Sequence, residues 1–366
     1  MEGKQTKRKK ETENTKEDRL SELPDCLLHH IFSFADATDA VRSCTLSKRW
    51  RYLWTSLPYL NFSFSNFRRV LTSKRASFIN FINQLLLRRS RSSIPIHSFH
   101  FTSSFDVKAA ISHWMRYAAE HQIQHLTIEP VSPTICPIFN GYASFTTLKL
   151  TCPQCECATF PQALDLPFLK NLHLVRFGNF DGRIFSRFPN LETLTLEDTQ
   201  LRGIRKFSVC SLNLKSFDFL NNGNLMRYPN CEFVIVAPKL TKFKFHGYHP
   251  LDCSTENLSS LDHIEFNVLS NKELDNIYHT DELKQKFARK VLQMLNALHT
   301  AKSITLSNKV IQVLSYFPAS LNEHPSQFLN LKYMKAKSIR KSSKKIKIPR
   351  LILNYFLKSS PLLEIS

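Results

Sequence analysis

Few residues in this chain have the types and spacing for chemistry. Cys152, Cys155 and Cys157 form the densest cluster, with C-x-x-C spacing between the first two. Thiolates so placed can serve as half of a structural zinc site, which needs four Cys or His ligands. No second close pair follows, although Cys136 or His173 could approach in space. Unliganded thiols after a strand at 145–150 are the favoured reading, with no metal and no cofactor expected. His29 and His30 are adjacent on a helical segment, where only one of two neighbours can share the apolar face, so solvent exposure is expected for the pair. The chain has no G-x-S-x-G elbow, P-loop, H-E-x-x-H or G-x-G-x-x-G. Its 7 glycines in 366 residues also leave little material for phosphate-cradling loops. No catalytic residue is assigned, and the chain reads as a non-enzyme.

Charge offers more. Fifty basic against 30 acidic side chains give a formal net charge of +20. Residues 66–93 hold seven cations (Arg68, Arg69, Lys74, Arg75, Arg88, Arg89, Arg91) and no acid. Residues 332–350 hold nine (Lys332, Lys335, Lys337, Arg340, Lys341, Lys344, Lys345, Lys347, Arg350), again with no acid. Such surfaces attract acidic proteins or polyanions, or simply keep the protein soluble. Aromatic residues are not interleaved with the cations for base stacking, so nucleic acid is not the favoured partner. Residues 1–19 are polar, without the apolar core of a secretory signal, and runs such as Phe233–Ala237 are too short to span a bilayer. Nine irregularly spaced cysteines suit reduced thiols in the nucleus and/or cytoplasm, with no membrane partner. The cluster Lys7-Arg8-Lys9-Lys10 is either a nuclear import signal or a solvated tail.

Two periodicities organise the chain. From Arg19 to about Leu60, apolar residues recur at helical spacing. Leu27, Leu28, Ile31, Phe32 and Phe34 follow Pro24, which suits a first helical turn. Thr38 can cap a second helix. Ser47 can cap a third, on which Trp50, Leu53, Trp54 and Leu57 share a face until Pro58 stops it. This unit is too small and too apolar to stand alone. After about residue 90 the pattern becomes apolar-x-x-apolar-x-apolar, with ten starts at Ile96, Ile123, Phe145, Leu169, Leu191, Leu214, Leu240, Leu261, Ala301 and Phe328. Most intervals fall in the 20–29 residue window typical of leucine-rich repeats, each a strand plus a return segment. The first, fourth and sixth positions face a continuous core. Intervening residues such as Asn171 and His173, or Thr193 and Thr195, lie toward the open face. The longest interval, 261 to 301, contains an amphipathic helix after Asp281, and 107–119 reads as another. The 29 phenylalanines fit stacked, repetitive packing.

The stretch 17–57 resembles the F-box as plant proteins carry it. The matching residues are Asp18-Arg19, Leu23-Pro24, Leu27, Ile31, Asp39-Ala40-Val41 and Leu46-Ser47-Lys48-Arg49-Trp50-Arg51. Ala35-Asp36 departs from it where many relatives have Leu-Pro. The rest resembles the irregular leucine-rich repeats of plant F-box/leucine-rich-repeat proteins, with a last unit from Ile348. The fold expected is therefore α/β: a short three-helix F-box followed by a solenoid of parallel strands with irregular or helical return segments. The expected divisions are a disordered basic tail over 1–16, the F-box over 17–60, a helical connector or cap over 61–92 and the repeats over 93–366. The resemblance implies a substrate-recognition subunit of an SCF ubiquitin ligase. Such a subunit binds a Skp-family adaptor, and through it a cullin–RING ligase. The expected adaptor contacts are Leu23, Pro24, Leu27, Ile31, Leu46, Ser47 and Trp50, with Trp50 the large anchor. Leu28, Leu53 and Trp54 are assigned to the unit's own core. The target is an unidentified protein, with an acidic one suiting the charge. A non-catalytic interaction scaffold and a basic polyanion-binding repeat protein are the alternative readings.

Overall fold

The computed structural model describes residues 20, 22–72, 74–89, 94–105, 107–130, 144–153, 158–161, 164–178, 180–201, 203–222, 231–269, 280–337 and 347–365. The tail 1–16, Asp18-Arg19, Arg91, Cys136, Cys155, Cys157, Arg340, Lys341, Lys344 and Lys345 lie outside them.

The chain begins with α1 (Asp25–Ser33) and α2 (Ala37–Arg42), then a 3-10 turn (Ser43–Thr45) and a longer 3-10 stretch (Trp50–Ser56). Pro24 takes an extended conformation (ψ 149°) and its carbonyl receives the N–H groups of Leu27 and Leu28, which starts α1. The cap of α2 is Asp36, not Thr38: Asp36 Oδ1 accepts the Thr38 N–H at 2.8 Å. Thr38 is itself buried. The third helix is a 3-10 stretch, yet it buries the expected face of Trp50, Leu53 and Trp54.

Next come β1 (Tyr59–Ser63), α3 (Phe64–Val70), α4 (Arg75–Arg89), β2 (Ser98–Thr102), α5 (Lys108–Glu120), β3 (His125–Glu129) and β4 (Thr147–Thr151). The middle of the chain forms β5 (Ala158–Thr159), β6 (Asn171–Val175), β7 (Phe177–Gly178), β8 (Thr193–Glu197), β9 (Lys206–Cys210), β10 (Ser216–Asn221), β11 (Glu232–Val236), β12 (Lys242–Gly247), β13 (Asp252–Glu256) and β14 (His263–Val268). The last part holds α6 (Asp281–Ala297), β15 (Ser303–Ser307), α7 (Asn308–Tyr316), α8 (Pro318–Glu323), β16 (Tyr333–Lys337), α9 (Arg350–Leu357) and β17 (Glu364–Ile365).

Twelve strands pair in parallel in the order β1-β2-β3-β4-β6-β8-β10-β12-β14-β15-β16-β17. Parallel neighbours require crossover segments, and here each repeat's return stretch is that crossover. Nine of the ten motif starts lie two residues before a strand, from Ile96 before β2 to Ala301 before β15. The tenth is displaced. Pairing of Tyr333 with Ser303 sets β16 so that Leu331, Met334 and Ala336 hold the repeat positions, and Phe328 is buried in the return segment before them. One repeat precedes the ten: Leu57, Leu60 and Phe62 are buried in the same pattern, and β1 pairs with β2. The solenoid therefore starts at β1, not at 93. The connector 61–92 is helical through α3 and α4, but it forms the first return segment and does not cap the end. What covers that end is the N-terminal unit, whose α1 and α2 pack on β1.

Return segments are helical at both ends and extended in the middle. Strands β9, β11 and β13 form a second parallel sheet, and β5 pairs with β7. Between the layers runs a phenylalanine spine, with ring centroids 5.2 Å apart for Phe207–Phe233, 5.5 Å for Phe217–Phe243 and 5.0 Å for Phe245–Phe266. Such pairs add about 0.5–1.5 kcal/mol each beyond area burial. One scarce glycine is obligatory: Gly182 has φ +82°, and a Cβ there would meet the Ser208 carbonyl oxygen at 2.6 Å.

Candidate functional site

Two surfaces carry side chains that the core does not use. The first lies on the N-terminal unit. Helix α1 has two apolar rows. Leu28 and Phe32, one turn apart, are buried, whereas Leu27 (48% exposed), Ile31 (47%) and Phe34 (78%) follow i, i+4, i+7 spacing on another face. Pro24 is exposed beside them, and Leu23 is partly buried against the core. Leu46 is 71% exposed on the turn after α2. Ser47 is partly buried, its Oγ accepting the Arg49 N–H at 3.2 Å.

Trp50 corrects the expectation. It is only 7% exposed, its ring edge-on to Phe32 with centroids 5.7 Å apart, so the anchor assigned to the adaptor is an interior residue. The reason is packing: the 3-10 stretch lays its apolar face on α2 and α4 and sets the indole against the buried Phe32 of α1. Leu28, Leu53 and Trp54 are buried as expected. Phe34 and Leu20 (57% exposed) were not assigned to the surface from sequence. Phe34 could have been, because it extends the Leu27–Ile31 row by three residues.

Polar contacts fix the orientation of these rows. Arg49 pairs with Asp25 in the first turn of α1. His29 is partly buried and bonds Ser56 Oγ through Nε2 at 2.9 Å, and burial lowers its pKa. Only His30, edge-on to Phe34 at 5.1 Å, matches the expected exposure. Asp36 is 4% exposed and ties the unit to the sheet: besides capping α2, its Oδ2 accepts the Ser63 N–H at 2.8 Å. A second tie is Arg89. Counted from sequence with the surface cations, it is fully buried at the end of α4 and donates from Nη1 to the Thr55 carbonyl at 2.7 Å. Burial pushes its pKa down and pushes that of neighbouring Tyr117 up. Arg68, Arg69, Lys74, Arg75 and Arg88 are exposed.

The second surface is the open face of the twelve-stranded sheet, built from the alternate residues that do not enter the core. Its central row reads, in strand register, His100, Thr127, Lys149, His173, Thr195, Asp218, Lys244, Glu265, Thr305 and Lys335. Toward the N-terminal end its charges are matched. Lys149 pairs with Glu129, and His173 lies 3.3 Å from Glu197, whose pKa that hydrogen bond lowers. Lys337 holds Glu265 at 2.7 Å. Burial raises the pKa of Asp218 and lowers those of His100, His246 and His263.

Cys152 is buried in the core, its carbonyl accepting Arg176 Nε at 2.7 Å. Among the described residues, no group of three or more His, Cys, Asp or Glu could hold a metal. Among the same residues, no helix is long and apolar enough to cross a membrane.

Comparison with known proteins finds similarity along most of the chain. Residues 20–62 match the F-box domain family, covering the N-terminal unit and running into β1. A putative F-box/FBD/LRR-repeat protein of Arabidopsis thaliana is 27% identical over 313 residues, covering 81% of this chain and 65% of that protein. Another F-box/FBD/LRR-repeat protein of the same plant is 28% identical over 263 residues, covering 69% and 60%. A putative F-box/LRR-repeat protein, also from Arabidopsis thaliana, is 27% identical over 304 residues, covering 81% and 61%. The chain thus spans about 60–65% of the length of these relatives.

Proposed function

We propose, for a chain that carries an N-terminal F-box domain and is homologous to plant F-box/leucine-rich-repeat proteins, that it is the substrate-recognition subunit of an SCF-type ubiquitin ligase. The F-box docks on a Skp-family adaptor, and through it on a cullin–RING ligase. The solenoid holds a target protein near a ubiquitin-charged enzyme supplied by other subunits. The chain contributes proximity and no bond-making group of its own, working in the nucleus or cytoplasm.

One observation carries this reading: the exposed Leu27–Ile31–Phe34 row beside a buried one on the same short helix. A nine-residue helix with apolar residues on two faces has one face more than its own core needs. Pro24 and Leu46 enlarge the patch. Large apolar side chains clustered on a surface mark an interaction site.

The test is adaptor binding by Leu27→Ala/Ile31→Ala. Each side chain is about half exposed, so each stands to bury about 1 kcal/mol of further apolar contact. The double variant should bind about 30-fold more weakly while its thermal transition stays in place. Binding within threefold of wild type would refute the assigned face. Trp50→Ala serves as contrast: it should lose adaptor binding only together with the fold.

A further inference from the structure

We propose that the open sheet face over β12–β16 is a docking site for an acidic, extended protein segment. This deepens the ligase reading by giving the chemistry of the target. On these four neighbouring strands three pairs of outward polar groups satisfy one another. Glu265 is held by Lys337 at 2.7 Å, His246 bonds Asn267 at 2.6 Å, and His263 bonds Ser303 at 2.8 Å. Three cations remain without an ion pair among the described residues: Lys242, Lys244 and Lys335. Lys242 and Lys335 are exposed and Lys244 half-buried. The nearest uncompensated carboxylate, Asp218, sits beside Lys244 on β10 and leaves Lys242 and Lys335 unmatched.

Geometry narrows the ligand. Lys244 and Lys335 share a row, three strands apart, which is roughly 14 Å at parallel-sheet spacing. Lys242 lies two residues before Lys244 on the same strand, about 7 Å away. An extended chain advances about 13 Å in four residues and presents alternate side chains to one side. Acidic residues four apart, with an uncharged residue between them on the same side, can therefore meet both ends of the row and leave no carboxylate over Glu265. A nucleic-acid strand fits less well. Its phosphates recur without gaps along the backbone, so some would face Glu265 and Asp218.

The experiment uses the full chain and a fluorescein-labelled twelve-residue peptide with Glu at every fourth position and Ser elsewhere, read by anisotropy at low salt. A Gln-for-Glu peptide and a twelve-base oligo(dT) are the comparison probes. Wild type should bind the Glu peptide and not the Gln peptide. Lys242→Glu/Lys335→Glu should weaken that binding about tenfold or more. Lys284→Glu/Lys286→Glu, which changes net charge equally at two exposed positions of α6, should weaken it less than about twofold. Equal loss in both variants would show a whole-protein charge effect and overturn the proposal. So would oligo(dT) binding as tight as the Glu peptide, or no binding of the Glu peptide. Adaptor binding is measured on the same samples. A protein that binds adaptor but no acidic peptide refutes only the docking site, and one that binds peptide but no adaptor refutes only the ligase reading.

Discussion

Asp36→Ala should loosen the junction between the helical unit and the solenoid. The Asp36 carboxylate makes two bonds from a position 4% exposed: Oδ1 to the Thr38 N–H and Oδ2 to the Ser63 N–H, both at 2.8 Å. Loss of an N-cap acceptor costs about 1 kcal/mol. Ser63 ends β1, the edge strand, whose N–H groups on that side have no strand to receive them among the described residues. Leaving its N–H without an acceptor adds about 1–3 kcal/mol. The sum, about 2–4 kcal/mol, corresponds to local opening roughly 30- to 1000-fold more frequent. Native-state hydrogen exchange reads it directly. Amides of α2 and of β1 should lose protection together, while those of β10 and β12 stay unchanged. Asp36→Asn keeps one acceptor oxygen but presents an N–H₂ to one of the two donors, so it should lose about half as much. Unaltered exchange at Ser63 in Asp36→Ala would refute the clamp. Equal losses in the Ala and Asn variants would refute its two-bond form.

Two further predictions concern buried and half-buried titrating groups. Arg89 is fully buried, and among the described residues Nε and Nη2 lack the geometry of the Nη1 bond to Thr55, so Arg89→Met should hold or raise the thermal midpoint by removing a poorly compensated buried charge, whereas Arg89→Ala should lower it through the cavity left. A large drop in Arg89→Met would show that the Thr55 contact outweighs the cost of burial. Burial lowers the pKa values of His100, His246 and His263, so the unfolded chain takes up protons first on acidification. Stability is complete above about pH 6.5, the ordinary imidazole value, and falls as pH drops through the depressed folded values. A triple His→Gln variant should flatten the fall of the midpoint below about pH 6.5, and an unflattened profile would place the loss elsewhere.

The repeat register was legible because position preference and pairing agree. Leu172 and Leu174 point inward on β6 for the same reason that they stand two apart in sequence. Where the pattern fits two frames, pairing decides. Phe328-x-x-Leu331-x-Tyr333 satisfies the motif as well as Leu331-x-x-Met334-x-Ala336, but a three-residue shift reverses which face is buried, and β15 accepts only the second. Leu57 was read as the end of a helix because Pro58 follows it, yet it also opens the first repeat. Nothing in a local window shows that one residue closes one unit and starts the next. The same limit hid Asp36. Three residues able to cap stand at 36, 38 and 39, and only the Ser63 N–H, 27 positions away, selects among them. The second layer carries no single signature: β9 alternates as KFSVC, whereas β11 is a continuous apolar run and β13 a polar stretch.

This junction bears on the proposed function. Leu28 and Phe32 turn inward from α1 onto the core that continues through Leu57, Leu60 and Phe62, while Leu27, Ile31 and Phe34 turn outward from the same helix. The helix cannot tilt to suit an adaptor without dragging its buried row through the first repeat, where Asp36 and Arg89 also hold it. From β1, seven strand steps lead to β12 and ten to β16. At roughly 4.8 Å per step, the proposed acidic segment lies about 34–48 Å along the sheet from the adaptor end. Every step is a hydrogen-bonded strand pair over a continuous apolar core, so that spacing varies little. Proximity catalysis by other subunits depends on such a constant separation. A flexible linker between the same two parts would instead spread the target over a volume that grows with its length.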